Sequence, residues 1–121
     1  MAKLSDEVKT LINEIKPALI ATASKSGKPN VSAKGSFRVL DDETVIFSDV
    51  NSPRTVANLR ENPQVSIICL NPSTRKSCRI WGTAEVINSG PLYDEAVAAM
   101  AARNIKPNNV VKIHVDEVLA S

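Results

Sequence analysis

The chain has few aromatic residues: two Phe, one Tyr and one Trp make up 3% of its 121 residues. That argues against the stacking platforms on which proteins hold single-stranded bases. Charge of one sign is also missing, because 15 Lys and Arg against 13 Asp and Glu leave a net +2, too small and dispersed to demand a nucleic-acid partner. No apolar run approaches the roughly 20 residues of a membrane-crossing helix, and the charged start Met1-Ala2-Lys3-Leu4-Ser5-Asp6-Glu7 lacks the apolar core of a signal peptide. A soluble, cytoplasmic protein is expected. Cysteine is scarce too: Cys69 and Cys78 form no C-x-x-C and have no second pair with which to complete a zinc site. In a reducing compartment they are expected as two free thiols, half-buried or buried, and no metal is expected. The lone His114 falls on the polar side of a strand and is given no catalytic role.

What is present reads as one domain, residues 1–121. Leu4, Val8, Leu11, Ile12 and Ile15 recur at helical spacing, with Ser5 as cap and Asp6 and Glu7 in the first turn, so an amphipathic helix opens the chain and ends at Pro17. Ala18 to Ser24 reads as a buried strand, and Lys25-Ser26-Gly27-Lys28 as a hairpin turn in which Gly27 takes positive φ. Pro29 to Leu40 reads as one strand, polar at unusual density, with Gly35 marking a bulge or a close approach to the backbone. A third strand spans Thr44–Ser48 and a second helix runs from Ser52 to about Asn62, where Asn62-Pro63 stops it. Strands come next at Val65–Leu70, Cys78–Asn88 and Val110–Val118, with an Ala-rich third helix at Gly90–Asn104 whose face is Leu92, Ala96, Val97 and Met100. The order α β β β α β β α β contains no repeated βαβ unit. Six short strands with peripheral helices favour a small antiparallel barrel over a doubly wound sheet.

The stretch Ser52-Pro53-Arg54-Thr55 is where chemistry is expected. Ser52 suits the N-cap and Pro53 the first helical position, so the next N–H donors point out of the helix end. With Arg54 and the hydroxyls of Ser52 and Thr55, they form a ready anion site.

Three segments carry a resemblance: Val31-Ser32-Ala33-Lys34, the strand–turn–helix from Val45 to Ser66 ending Asn62-Pro63-Gln64-Val65-Ser66, and Lys76-Ser77-Cys78-Arg79-Ile80-Trp81-Gly82-Thr83-Ala84-Glu85. In this order and spacing they resemble the FMN-binding split-barrel superfamily, whose best-known enzyme is pyridoxamine 5′-phosphate oxidase. The resemblance implies a mainly β fold, a six-stranded antiparallel split barrel with peripheral helices, working as a homodimer with FMN in the grooves between subunits. It implies that Lys34 and Arg54 hold the phosphate with Thr55 and Ser52 adding hydroxyls. Ser32, Ala33 and the strand around Phe47, Ser48 and Asp49 would contact the ring or ribityl chain, and Ser77 would reach FMN from the partner. The oxidase's C-terminal Trp and R-L-x-P element have no counterpart in Val115–Ser121, so pyridoxamine phosphate oxidation is not expected. The similarity is instead to short FMN-binding oxidoreductases or electron-transfer proteins. Relatives that bind F420 or haem, and a non-enzymatic ligand-binding dimer, are the alternatives. No residue is assigned as acid, base or nucleophile, because the flavin would supply the redox chemistry.

Overall fold

The computed structural model describes residues 2–121. Helix α1 spans Asp6–Glu14, followed by strands β1 (Ala18–Ala23), β2 (Pro29–Lys34), β3 (Arg38–Asp41) and β4 (Thr44–Asp49). Helix α2 (Pro53–Glu61), strands β5 (Gln64–Leu70) and β6 (Ser77–Ile87), helix α3 (Pro91–Ala101) and strand β7 (Asn109–Ala120) complete it.

All seven strands form one sheet in the order β2-β1-β5-β6-β7-β4-β3, with every pairing antiparallel. The two edges, β2 and β3, are joined by only Gly35, Ser36 and Phe37. At about 4.8 Å between strands, the edges of a flat seven-stranded sheet would lie roughly 29 Å apart. The link from Lys34 to Arg38 reaches at most about 14 Å. The sheet must therefore curl until its edges meet, which makes the barrel. The expected single strand from Pro29 to Leu40 breaks at this link, so seven strands replace six. Gly35 is a turn residue there, and a Cβ placed on it would meet no atom within 4 Å, so the expected close approach is absent.

Inside the barrel lie Ile20, Phe37, Val45, Phe47, Ile67, Ile80, Val111, Ile113 and Val115, all exposed by 1% or less. Alternation puts them there: β5 reads exposed–buried–half-buried–buried along its length, and β7 follows the same period through Val115. Helix α1 plugs one end with Val8 and Ile12, each contributing about 1.5–3 kcal/mol by leaving water. Its start is capped as expected, Ser5 Oγ accepting from the Val8 N–H at 3.2 Å. Gly27 has φ +92° in the β1–β2 turn, also as expected.

Gly82 has the close approach that Gly35 lacks. It sits at a register shift between β6 and β7, where a Cβ would lie 2.5 Å from both the His114 carbonyl oxygen and Ile113 Cγ2. Helix α3 is the loosest element. Its expected face, Leu92, Ala96, Val97 and Met100, is only half-buried and none of its residues is fully covered. No helix among the described residues is long and apolar enough to cross a membrane.

Candidate functional site

Strand β4 ends in Asp49, and this buried carboxylate shapes the turn into α2. Its Oδ1 accepts the Ser52 N–H at 2.9 Å, and its Oδ2 accepts from Asn109 Nδ2 at 2.8 Å. The Asp49 carbonyl accepts the Asn108 N–H at 2.8 Å, while Asn108 Nδ2 donates to the Val50 carbonyl at 2.7 Å. The turn is thus held from both sides by the start of β7. Asp49 is committed to this scaffold.

Pro53 opens α2 as expected, but Ser52 does not cap it. No side chain accepts from the first-turn N–H groups. The Ser52 hydroxyl instead receives the Lys34 ammonium, which comes from the end of β2. The helix start therefore keeps free donors, the feature that makes such ends attract anions. Thr55, 1% exposed, turns inward. Its Oγ1 lies 3.1 Å from Ser32 Oγ and 3.4 Å from Asn30 Nδ2.

Lys34 lies with its ammonium 5.6 Å from the centre of the Phe47 ring. Burial pushes its pKa below the ordinary lysine value, and the negative charge of Asp49 offsets part of that shift. Arg54 is exposed and lines a cleft of about 310 Å³ with Ser24, Lys28, Pro29, Asn30, Ala57 and Asn58. The ion pairs among the described residues are Lys9–Asp42, Arg38–Glu95 and Lys76–Glu7. Neither Lys34 nor Arg54 is spent on a carboxylate.

The structure thus brings Ser32 to Thr55 and Lys34 to Ser52, with Arg54 next to Thr55 in the same first turn of α2. Phe47 is in the core with its side chain 1% exposed; it supports Lys34 from below and has only its backbone to offer a ligand. Ser48 is tied to Ser36, whose Oγ accepts the Ser48 N–H at 2.9 Å and donates to the Ser48 carbonyl at 3.4 Å. Ala33 and Ser77 lie elsewhere. Strand alternation turns Ala33 to the outside of the barrel, and Ser77 is three strands across from β2, its Oγ 2.7 Å from Ser121 Oγ.

Sequence reasoning missed Asn30, Ser36 and Asn109. Asn30 could have been found, since strand alternation from Ser32 and Lys34 puts it on the same side. Asn109 lies 60 residues from its partner Asp49, and no local pattern joins them.

The outside of β2, β1, β5, β6 and β7 is a continuous, largely apolar face. One row across it reads Ala33, Leu19, Ile68, Arg79, Leu119, and the next Val31, Ala21, Ser66, Trp81, Glu117. Leu19 is 44% exposed, Val31 65% and Leu119 47%. Arg79 extends the face by lying 5.4 Å over the Trp81 ring. Ser77, paired with the half-exposed Leu70, stands at its rim. Among the described residues there is no group of three His, Cys, Asp or Glu placed to hold a metal ion.

Residues 4–121 match the family described as Pyridoxamine 5′-phosphate oxidase. An uncharacterized protein of Methanocaldococcus jannaschii is 37% identical over 123 residues, spanning 98% of this chain and 80% of that protein. Among solved structures, HupZ of Group A Streptococcus has a TM-score of 0.90 at 31% identity, covering 97% of this chain and 93% of the other. HutZ, described as the heme storage protein of Vibrio cholerae, has a TM-score of 0.70 at 25% identity, covering 97% and 94%.

Proposed function

The chain belongs to the pyridoxamine 5′-phosphate oxidase family of FMN-binding split barrels, and from that premise we propose that it is a homodimeric FMN protein, an oxidoreductase or electron carrier. The observation that carries this reading is the contact of the Lys34 ammonium with the Ser52 hydroxyl at the uncapped start of α2, beside the Ser32–Thr55 hydroxyl pair that joins the same strand to the same helix turn. A phosphate dianion needs two cations, or one cation and several donors. Lys34 and Arg54 supply the cations, and the hydroxyls and first-turn N–H groups supply the donors. When bound, FMN would provide the hydride and electron transfer. The chain's own residues would hold its phosphate and exclude water from its ring.

The dimer rests on the outward apolar face. A sheet surface carrying Val31, Leu19, Ile68 and Leu119 is the kind that a monomer leaves open only at a cost in solubility. A second copy of the same chain is self-complementary across a twofold axis. Such a copy would cover Ala33 and Ser77, the two expected ligand residues that lie outside the Lys34 cluster.

HutZ favours haem as the second reading. Against it, the only histidine is His114, paired opposite Thr44 at the far end of β4 from Asp49. It offers no imidazole to an iron near Lys34. Purified protein tests both readings: it should be yellow with a flavin spectrum, and added FMN should lose fluorescence and raise the melting temperature. A colourless protein that neither quenches FMN nor is stabilised by it sinks the proposal. Mass spectrometry of the extracted ligand separates FMN from F420 and haem, and reduction by NAD(P)H or dithionite separates redox work from simple binding.

A further inference from the structure

Cys69 and Cys78 occupy directly opposed positions on β5 and β6, both facing the barrel interior and each 1% exposed. At the β5–β6 turn the Asn71 N–H donates to the Lys76 carbonyl at 2.9 Å. Antiparallel ladders alternate, so two residues back Cys69 and Cys78 form another hydrogen-bonded pair. Such pairs hold their Cα atoms about 5.5 Å apart, the separation most common for disulfides. Both cysteines are free thiols. Their neighbours in the row are small: Cys78 is opposite Ala120 on β7, and Ala18 lies one residue before the Leu19–Ile68 pair on β1.

The pair is sealed but not remote. Between α1 and the end of the sheet is a cavity of about 390 Å³ whose walls include Val8, Leu11, Ser77 and Ala120. Ser77 precedes Cys78 in the chain, and Ala120 is its cross-strand partner. Helix α1, nine residues long, forms one wall of this cavity. A hydrogen bond from the Cys69 thiol holds the Cys78 thiol below its ordinary pKa and raises that of Cys69. The Lys16 ammonium favours a negative charge on Cys69.

We propose that Cys69 and Cys78 are a reversible thiol–disulfide site, oxidised by hydrogen peroxide that enters through the cavity beneath α1. The Cys78 thiolate attacks one peroxide oxygen, the O–O bond breaks, and the hydroxide released takes a proton to leave as water. The resulting Cys78 sulfenic acid is attacked by the Cys69 sulfur, whose proton goes with the departing hydroxide as a second water while the S–S bond forms. Two thiols and one peroxide give one disulfide and two waters, a two-electron exchange. A dithiol reductant reverses it by giving up two electrons and two protons to the pair, itself closing to a cyclic disulfide.

The full-length protein is exposed to peroxide, denatured, treated with N-ethylmaleimide, and read by intact mass and peptide mapping. The site predicts complete loss of both alkylatable thiols, a peptide in which Cys69 and Cys78 are joined within one chain, and return of both thiols after dithiothreitol. Two thiols that remain alkylatable overturn the proposal. So do separate sulfinic or sulfonic acids on the two residues, or a disulfide joining different chains. The readout is taken on the natural chain, so it does not depend on a variant folding. Cys69→Ser adds a check, because a folded C69S chain should stop at sulfenic acid on Cys78.

Discussion

Ser32 and Thr55, 23 residues apart in the chain, place their hydroxyl oxygens 3.1 Å from each other. One comes from an edge strand and the other from the first turn of α2, so each satisfies the other where water is largely excluded. Neither hydroxyl is used by a cap or a ladder. On the FMN reading, the pair would rotate toward the phosphate and exchange its mutual hydrogen bond for charge-assisted ones, which are about twice as strong.

Arg54→Ala should weaken FMN binding by about 1.5–3 kcal/mol, the usual worth of a hydrogen bond to a charged group. Arg54 is exposed and joins no ion pair among the described residues, so the melting temperature of the free protein should stay where it is. A fluorescence titration beside a thermal melt reads both. Equal losses of folding and binding would make Arg54 a structural residue.

Leu19→Asp places a carboxylate in the middle of the outward apolar face, between Ala33 and Ile68. Since Leu19 is 44% exposed, the barrel itself should tolerate the change. The expected result in sedimentation velocity is a shift from dimer to monomer, with FMN affinity lost in parallel. A variant that remains dimeric would show that the twofold contact lies on another surface.

The strand, turn and helix from Thr44 to Glu61 were legible because each is signalled locally: Pro53 at the first helical position, Asn62-Pro63 as the stop, and the short apolar run Val45-Ile46-Phe47 in β4. Ser32 and Lys34 came from the family resemblance of Val31-Ser32-Ala33-Lys34, whereas Thr55 was found from the same local signals. The break at Gly35 was not, since nothing local distinguishes a bulge within one strand from a corner between two; closure of the curled sheet decides it. Ser52 misled for a similar reason. Its residue type favours capping, but Lys34 from another strand takes the hydroxyl, and a tertiary contact overrides the local preference. Asp49 with Asn109 shows the same limit at longer range, because a hydrogen bond across 60 residues leaves no periodic trace.

Gly82→Ala should destabilise the barrel by about 1–3 kcal/mol, the range for overfilling a packed site. The added methyl would lie 2.5 Å from the His114 carbonyl oxygen, an atom fixed in the β4–β7 and β6–β7 pairings. No side-chain rotation relieves that contact. A lower urea midpoint with an unchanged slope is expected. The same substitution at Gly35, which has open space around it, should be far milder.

The affinity for FMN should fall at alkaline pH, and Lys34 should be the reason. Burial lowers the Lys34 pKa in the free protein, below the roughly 10.4 of an unperturbed lysine. Between those two values the unfolded chain binds the proton and the folded chain does not. In the absence of ligand, folding stability therefore gains from Lys34 as pH rises through that window. A bound phosphate reverses the preference by favouring the ammonium, so binding must take up a proton once pH exceeds the free-protein pKa. Affinity then declines by at most about tenfold per pH unit from that one group. Riboflavin, which has the ring but no phosphate, separates this effect from titration of the flavin itself: the ratio of FMN to riboflavin affinity should carry the decline. Lys34→Arg keeps its charge well above this range and should flatten the ratio. A ratio that falls equally in the wild-type and K34R proteins would remove Lys34 from the phosphate site.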